Sequence, residues 1–253
     1  MGSEMCIRDR DTILEKINNL VDKGFKEIVL TGVDITCWGS DLSGNDKLGD
    51  LVIKILDETP DLPRLRLSSV DVSEMDDGLL HVFKTNRRMM PHLHLSMQSG
   101  NNLILKRMKR RHSRDQAIDL CKNLKAARPE LTFGADLIAG FPTESDTMFS
   151  DTVNLVDESE VSWLHIFPYS GRPNTPASRM PQVNKHEISK RSKVLRELAE
   201  RKKVEHFAKL KDKTLSVLME SEFRGRAEDF TEITTSTPLK TGEIYPVSYT
   251  HLR

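Results

Sequence analysis

The chain has 253 residues, with 38 basic and 38 acidic side chains and so no formal net charge at neutral pH. At ~150 residues per domain that length fits one large domain with an appendage, and the charge balance excludes a wholly basic nucleic-acid wrapper, leaving polyanion binding to local patches. With 37% hydrophobic and 30% charged residues, 13 Gly and 11 Pro, the composition is neither collagen-like nor disordered.

Cys6, Cys37 and Cys121 share no spacing, so neither a disulfide framework nor a zinc site is written here, and a reducing compartment is expected. No apolar run approaches the ~20 residues of a membrane span and no signal-peptide core is visible, which makes the cytoplasm the expected location. Residues 1–10 and 247–253 fit no neighbouring period and resemble translated adapter sequence, so both stretches are set aside as non-native ends.

Between them helices and strands alternate. Ile13, Leu14, Ile17, Leu20 and Val21 predict a helix over 11–23, stopped by Gly24 and followed by a buried strand at 27–30. The phrase recurs as a helix at 48–56 before a strand at 65–68, one at 78–83 before 92–96, one at 113–127 before 131–139, and one at 146–156 before 163–167. Strands separated by helices in this way predict βαβ crossovers and a parallel sheet. Small or polar clusters follow every strand, at 31–34, 68–69, 96–100, 140–144 and 168–172. That distribution favours an α/β barrel, whose active site is built from loops at the carboxyl ends of its strands, over a sheet with one switch point. Neither G-x-G-x-x-G nor G-x-x-x-x-G-K-S/T occurs. Residues 184–213 predict a helical connector with 11 Lys or Arg against 5 Asp or Glu. Beyond it, period-two alternation at 214–220 and 229–234 predicts short antiparallel strands, too few to close a barrel.

Four stretches carry candidate chemistry. Lys106 to Arg114 holds six fixed cations without an acid. Arg107 and Arg111 in it suit phosphate at the barrel mouth, or simply form a solvated helix start. Residues 134–142 end a strand in a Gly-Phe-Pro turn that lets a flat ligand approach the backbone. His92 and His94 share a face with Ser96 and read either as pocket-facing groups or as hydrogen-bonded core. In 167–173, Tyr169 can stack a base and Arg172 can fix a phosphate. No hydrolytic constellation is complete, and the catalytic residues stay unassigned.

Taken in order, TGVDIT, RLRLSS, HLHLSMQSGNNLILKRMKRRHS, GADLIAGFPTES and HIFPYSGRPNTPASRMP resemble the radical S-adenosylmethionine methylthiotransferases that modify tRNA, over about residues 11–243. LTGVDIT with WGSDL, and PHLHLSMQSG, are similar to the branch acting on threonylcarbamoyladenosine. Sister branches act on isopentenyladenosine or a ribosomal-protein aspartate. The resemblance implies S-adenosylmethionine and [4Fe-4S] clusters as cofactors, and tRNA and an electron-donor protein as partners of a monomer. It also implies site roles: Thr31, Gly32 and Asp34 at the methionyl amino group, Ser68 near the ribose, Gln98 lining the pocket, Arg110 at the methionyl carboxylate, and Ile138 and Gly140 flanking the adenine. Residues 11–183 are then a radical S-adenosylmethionine partial barrel, 184–213 the connector and 214–246 an incomplete RNA-binding β domain of the TRAM type.

The departure from the family is the absence of C-x3-C-x2-C, which leaves no metal-ligand set. The expectation is a fragment lacking the first barrel strand, inactive by itself, with the 27–30 strand as an unpaired, aggregation-prone edge. The alternative is a cluster-free barrel that binds RNA through the 106–114 run and the connector.

Overall fold

The structure, a computed structural model, describes residues 10–32, 35, 38–39 and 46–250. Helix α1 (Arg10–Asp22) buries Leu14 and Ile17 one turn apart and ends where the Gly24 N–H donates to Val21 O, Gly24 itself adopting a left-handed φ of 88°. Strand β1 (Glu27–Leu30), helix α2 (Leu48–Glu58) and strand β2 (Arg64–Leu67) follow. Helix α3 (Asp77–Thr85), capped by Asp76, leads to strand β3 (His92–Gln98). Helix α4 (Asn102–Arg107) is capped by the Asn101 side chain, and helix α5 (Arg114–Ala127) by Ser113 with Gln116 completing a capping box. Strand β4 (Thr132–Ala139), helix α6 (Asp146–Glu158), strand β5 (Val161–Pro168) and helix α7 (Lys185–Leu210) complete the large unit.

All neighbouring strands in this unit run parallel, in chain order. β1 pairs with β2 from Glu27–Arg64 to Leu30–Leu67, and β4 lies between β3 and β5. Single bridges at Leu65–Met89 and Val70–Leu95 join the two groups, with the Val70 N–H donating to His94 O at 2.9 Å. The helix-facing positions Leu65, Leu67, Leu93, Leu95, Phe133 and Leu137 enter one core with Val52, Ile55, Phe83, Cys121, Leu155 and Leu195. The alternate positions carry Arg64, Arg66, His92, His94 and Asp136, so one side of the sheet is apolar and the other polar. Among the described residues β1 is an edge, with Val29 49% exposed.

The appendage is a four-stranded antiparallel sheet of order β8-β7-β6-β9. Its strands are β6 (Thr214–Met219), β7 (Arg224–Ala227), β8 (Glu232–Thr234) and β9 (Ile244–Ser248), around Val217, Met219, Ala227 and Ile233. Three sequence expectations change here. Residues 229–231 form a turn rather than the start of a strand, because the Asp229 side chain accepts the Thr231 N–H and Phe230 takes φ 73°. β7 was hidden by its Arg-Gly-Arg-Ala sequence. β9 continues past residue 246 to Ser248, and Val247 and Tyr249 pack on the small core, against the expectation of a non-native end over 247–253. β9 is an edge strand, which is why Pro246 is tolerated within it.

The small sheet sits against the amino-terminal ends of β2, β3 and β4. Arg64 donates to Ser216 O and Oγ, both at 2.8 Å, Arg66 donates to Glu228 O at 3.2 Å, and the Thr132 hydroxyl donates to Asp229 O at 3.0 Å. Glu27 holds both guanidinium groups from the other side.

Candidate functional site

The cavity at the carboxyl ends of β3, β4 and β5 measures about 460 Å³ and is lined by Gln98, Asp136, Ile138, Phe167, Pro168, Tyr169 and Arg172 among others. Its size falls in the ordinary range for small-ligand sites. β3 passes through an irregularity between Leu95 and Gln98, and Gln98 adopts φ 63° while remaining buried. This carries the strand two residues beyond its expected end and delivers the Gln98 side chain to the cavity. A non-glycine residue in that conformation marks a backbone held by its surroundings.

The turn after β4 is locked from behind. Gly140 has φ 76°, and a Cβ there would lie 2.5 Å from Ile188 Cγ1 of α7, so glycine is required for packing. The Gly140 N–H donates to Glu144 Oε2 at 2.9 Å, and the same oxygen accepts from Arg191 at 2.9 Å. Arg191 also reaches Asp146 at 2.8 Å. Burial pushes the Glu144 carboxyl up despite these partners. This acid positions the turn against α7. Phe141 meets Tyr169 edge-on at 5.3 Å, and the Tyr169 N–H donates to Ala139 O at 2.9 Å. The Tyr169 hydroxyl and the Ser68 Oγ are both buried without a hydrogen-bond partner. Groups of that kind ordinarily find a partner.

At the floor of the cavity, one oxygen of Asp136 lies 2.9 Å from His94 Nε2 and 3.3 Å from His165 Nδ1. Burial raises the Asp136 carboxyl, but the two imidazoles outweigh it and hold it below the usual carboxylate range. Gly134 makes room for His94, since a Cβ there would sit 2.3 Å from His94 Nδ1. Asp136 and His165 lie within expected strands, and neither is among the expected site residues. The signal was available in parity, since Asp136 and His165 face each other in register across β4 and β5.

Of the expected site residues, Gln98, Ile138, Tyr169 and Arg172 share the cavity wall, and Gly140 stands behind it. Thr31 and Gly32 lie exposed just past β1, and Ser68 N–H donates to Leu30 O at 2.9 Å, so these belong to the other half of the sheet's rim. Asp34 lies outside the described residues. The basic run is divided between the end of α4 and the loop before α5. Arg110 bonds Asp71 at 3.1 Å, Arg111 is paired with Glu74, and Arg107 donates to the Thr143 hydroxyl. Three arginines thus border the rim, two of them paired with carboxylates and Arg107 with a neutral hydroxyl.

The cofactor implied by a radical barrel is a different matter. Cys121 is the one cysteine among the described residues. It is buried in the core, and burial pushes its thiol up to about 12. A cluster ligand must be an accessible thiolate, so the described residues do not fit a [4Fe-4S] group. They do fit a small ligand with a flat apolar part and polar ends, given the Ile138 and Phe167 walls and the unpaired Tyr169 hydroxyl. Among the described residues no helix is long and apolar enough to cross a membrane.

The radical SAM superfamily model matches residues 6–156. The chain is 44% identical over 92% of its length to a threonylcarbamoyladenosine tRNA methylthiotransferase of Rickettsia prowazekii, covering 56% of that protein. It is 34% identical over 87% of its length to a tRNA-2-methylthio-N(6)-dimethylallyladenosine synthase of Halalkalibacterium halodurans, covering 41%. The chain therefore spans about half the length of the curated relatives it matches. Among solved structures it resembles coproporphyrinogen III oxidase of Escherichia coli, with a TM-score of 0.57, 14% identity and coverage of 76% of this chain and 45% of that one. It also resembles the methyltransferase TsrM of Kitasatospora setae, with a TM-score of 0.54, 13% identity and coverage of 67% and 33%. At such identities these two likenesses concern the fold alone.

Proposed function

Because this chain belongs to the radical SAM superfamily, we propose that it forms the S-adenosylmethionine-binding and tRNA-facing part of a methylthiotransferase that modifies C2 of threonylcarbamoyladenosine in tRNA. The observation that carries this reading is the 44% identity along 92% of the chain to a protein of that name. The cavity at the strand ends supports it with the right kind of walls.

In this reading Ile138 and the Gly140 turn flank the adenine, Gln98 supplies a buried amide, and Ser68 offers its unpaired hydroxyl to the ribose. Arg110, oriented by Asp71, takes the methionyl carboxylate, while Thr31, Gly32 and Asp34 receive the amino group. S-adenosylmethionine supplies the reactive sulfonium when bound. Arg107 and Arg111 at the rim, with Tyr169 and Arg172 on the cavity wall, face the RNA, where phosphate contacts position and stacking holds an unpaired base. The sequence contains no C-x3-C-x2-C, so the chain by itself is expected to bind without methylthiolating. Residues 11–183, 184–213 and 214–246 act as barrel, basic connector and TRAM-like RNA-binding sheet, in a cytoplasmic monomer served by an electron-donor protein.

The test is a nucleoside digest of tRNA from the source strain before and after deletion of the gene encoding this chain. Loss of the methylthio form of threonylcarbamoyladenosine, with the isopentenyl series intact, is expected. The opposite pattern assigns the chain to the sister branch, and no change in either removes the reading.

A further inference from the structure

The His94–Asp136–His165 group has a composition that hydrogen bonding alone does not require. Two imidazole nitrogens and one carboxylate oxygen come from three successive parallel strands, and the three donor atoms all lie within 4.8 Å of one another. Tetrahedral ligands bonded at about 2.0–2.1 Å stand about 3.4 Å apart, and the His165 Nδ1 to Asp136 Oδ1 separation is 3.3 Å. The shorter 2.9 Å contact of His94 Nε2 is a hydrogen bond that would lengthen by a few tenths of an ångström as a cation replaced the proton. His94 is buried and its ring occupies the space that Gly134 leaves open. Asp136 is half-buried and also lines the cavity, whereas His165 is 63% exposed at its side chain. A cation held by the three would thus meet protein on one side and open space on the other.

We propose that His94, Asp136 and His165 form a mononuclear site for a divalent first-row transition cation of the zinc class. Two neutral imidazoles and one carboxylate suit zinc, cobalt or ferrous iron, and they disfavour calcium and magnesium, which take oxygen ligands only. Three protein ligands on one side leave a coordination position toward the cavity, as in sites where the metal meets an exchangeable molecule. An imidazole binds a metal only in its neutral form, so affinity falls as pH falls. The site uses no cysteine and stands independently of the function proposed above.

The test is a titration of the tag-free full chain, stripped by chelator, with Co²⁺ followed by displacement with Zn²⁺. One equivalent of Co²⁺ is expected to give visible ligand-field bands that Zn²⁺ abolishes. His165→Ala and Asp136→Asn are expected to weaken binding at least about tenfold, a change at the lower end of what even indirect metal partners produce. His165 is exposed, so its alanine variant keeps the fold, and far-ultraviolet circular dichroism verifies this. Absence of bound Co²⁺ overturns the site, as does affinity unchanged in both variants. Near-ultraviolet thiolate charge-transfer bands, which place the ion on cysteine, also overturn it.

Discussion

Phe230 of the small sheet lies stacked on His92 of the barrel, ring centroids 4.6 Å apart and planes 15° from parallel. Arg66 and Arg226 approach the same phenyl ring at 5.2 and 4.5 Å. Each contact alone is small, with aromatic pairs worth ~0.5–1.5 kcal/mol and cation–π contacts ~0.5–1 kcal/mol at exposed sites. Together they make one half-buried side chain a joint between two units. Phe230→Ala is expected to destabilise the chain by about 2 kcal/mol, read as a lowered urea midpoint, and to expose the 211–213 link to protease. Unchanged stability and protection would mean that the backbone bonds of Arg64 and Arg66 suffice.

Stability is also expected to depend on pH through His92. Burial first, then the charges of Arg66 and His94, lower its pKa to about 3, against 6.5 for a free histidine. Between those values the unfolded chain binds the proton and the folded chain does not, so unfolding becomes easier as pH drops below about 6.5. The slope reaches at most about 1.4 kcal/mol per pH unit. Urea melts at pH 6.5, 5.8 and 5.0 read this window above the range in which Asp136 and Asp229 are protonated, and His92→Phe should flatten it.

Gly140→Ala tests the turn behind the cavity. The substitution adds a methyl 2.5 Å from Ile188 Cγ1 and forces alanine to φ 76°. A loss of about 1–3 kcal/mol is expected from backbone strain and overpacking together. Adding Ile188→Ala should recover only the steric part, and full recovery in thermal melts would show that the left-handed backbone costs nothing.

Arg191→Met strands Glu144, whose side chain is fully buried. Breaking one side of a buried ion pair costs about 3–5 kcal/mol. The double variant Arg191→Met/Glu144→Gln should regain most of it, because the amide needs no counter-charge. Equal losses in the single and double variants would place the effect in the contact of the Arg191 guanidinium with the Phe149 ring, 5.5 Å to its centroid, rather than in the pairing with Glu144.

The large unit was legible because each βα segment states its own period: Leu51, Val52, Ile55 and Leu56 bury one face of α2, and Leu65 and Leu67 alternate with Arg64 and Arg66 along β2. The small sheet was less so. Asp229-Phe-Thr alternates like a strand, but Asp229 satisfies the Thr231 N–H locally and Thr132 takes Asp229 O from 97 residues away. No local pattern encodes that contact. Within the site, the expected Gln98, Ile138, Tyr169 and Arg172 share one cavity, since the first two end β3 and β4, the other two follow β5, and these strands are sheet neighbours. Asp136 and His165 were missed because their pairing appears only once β4 and β5 are set in register.

The inward row of β2 begins with Arg64 and Arg66, gripped by the small sheet, and leads two residues on to Ser68 at the opposite rim. Both arginines are buried, so unfolding of the appendage would strip them of acceptors while they are still shielded from water. Calorimetry should accordingly find the two units melting in one shared transition.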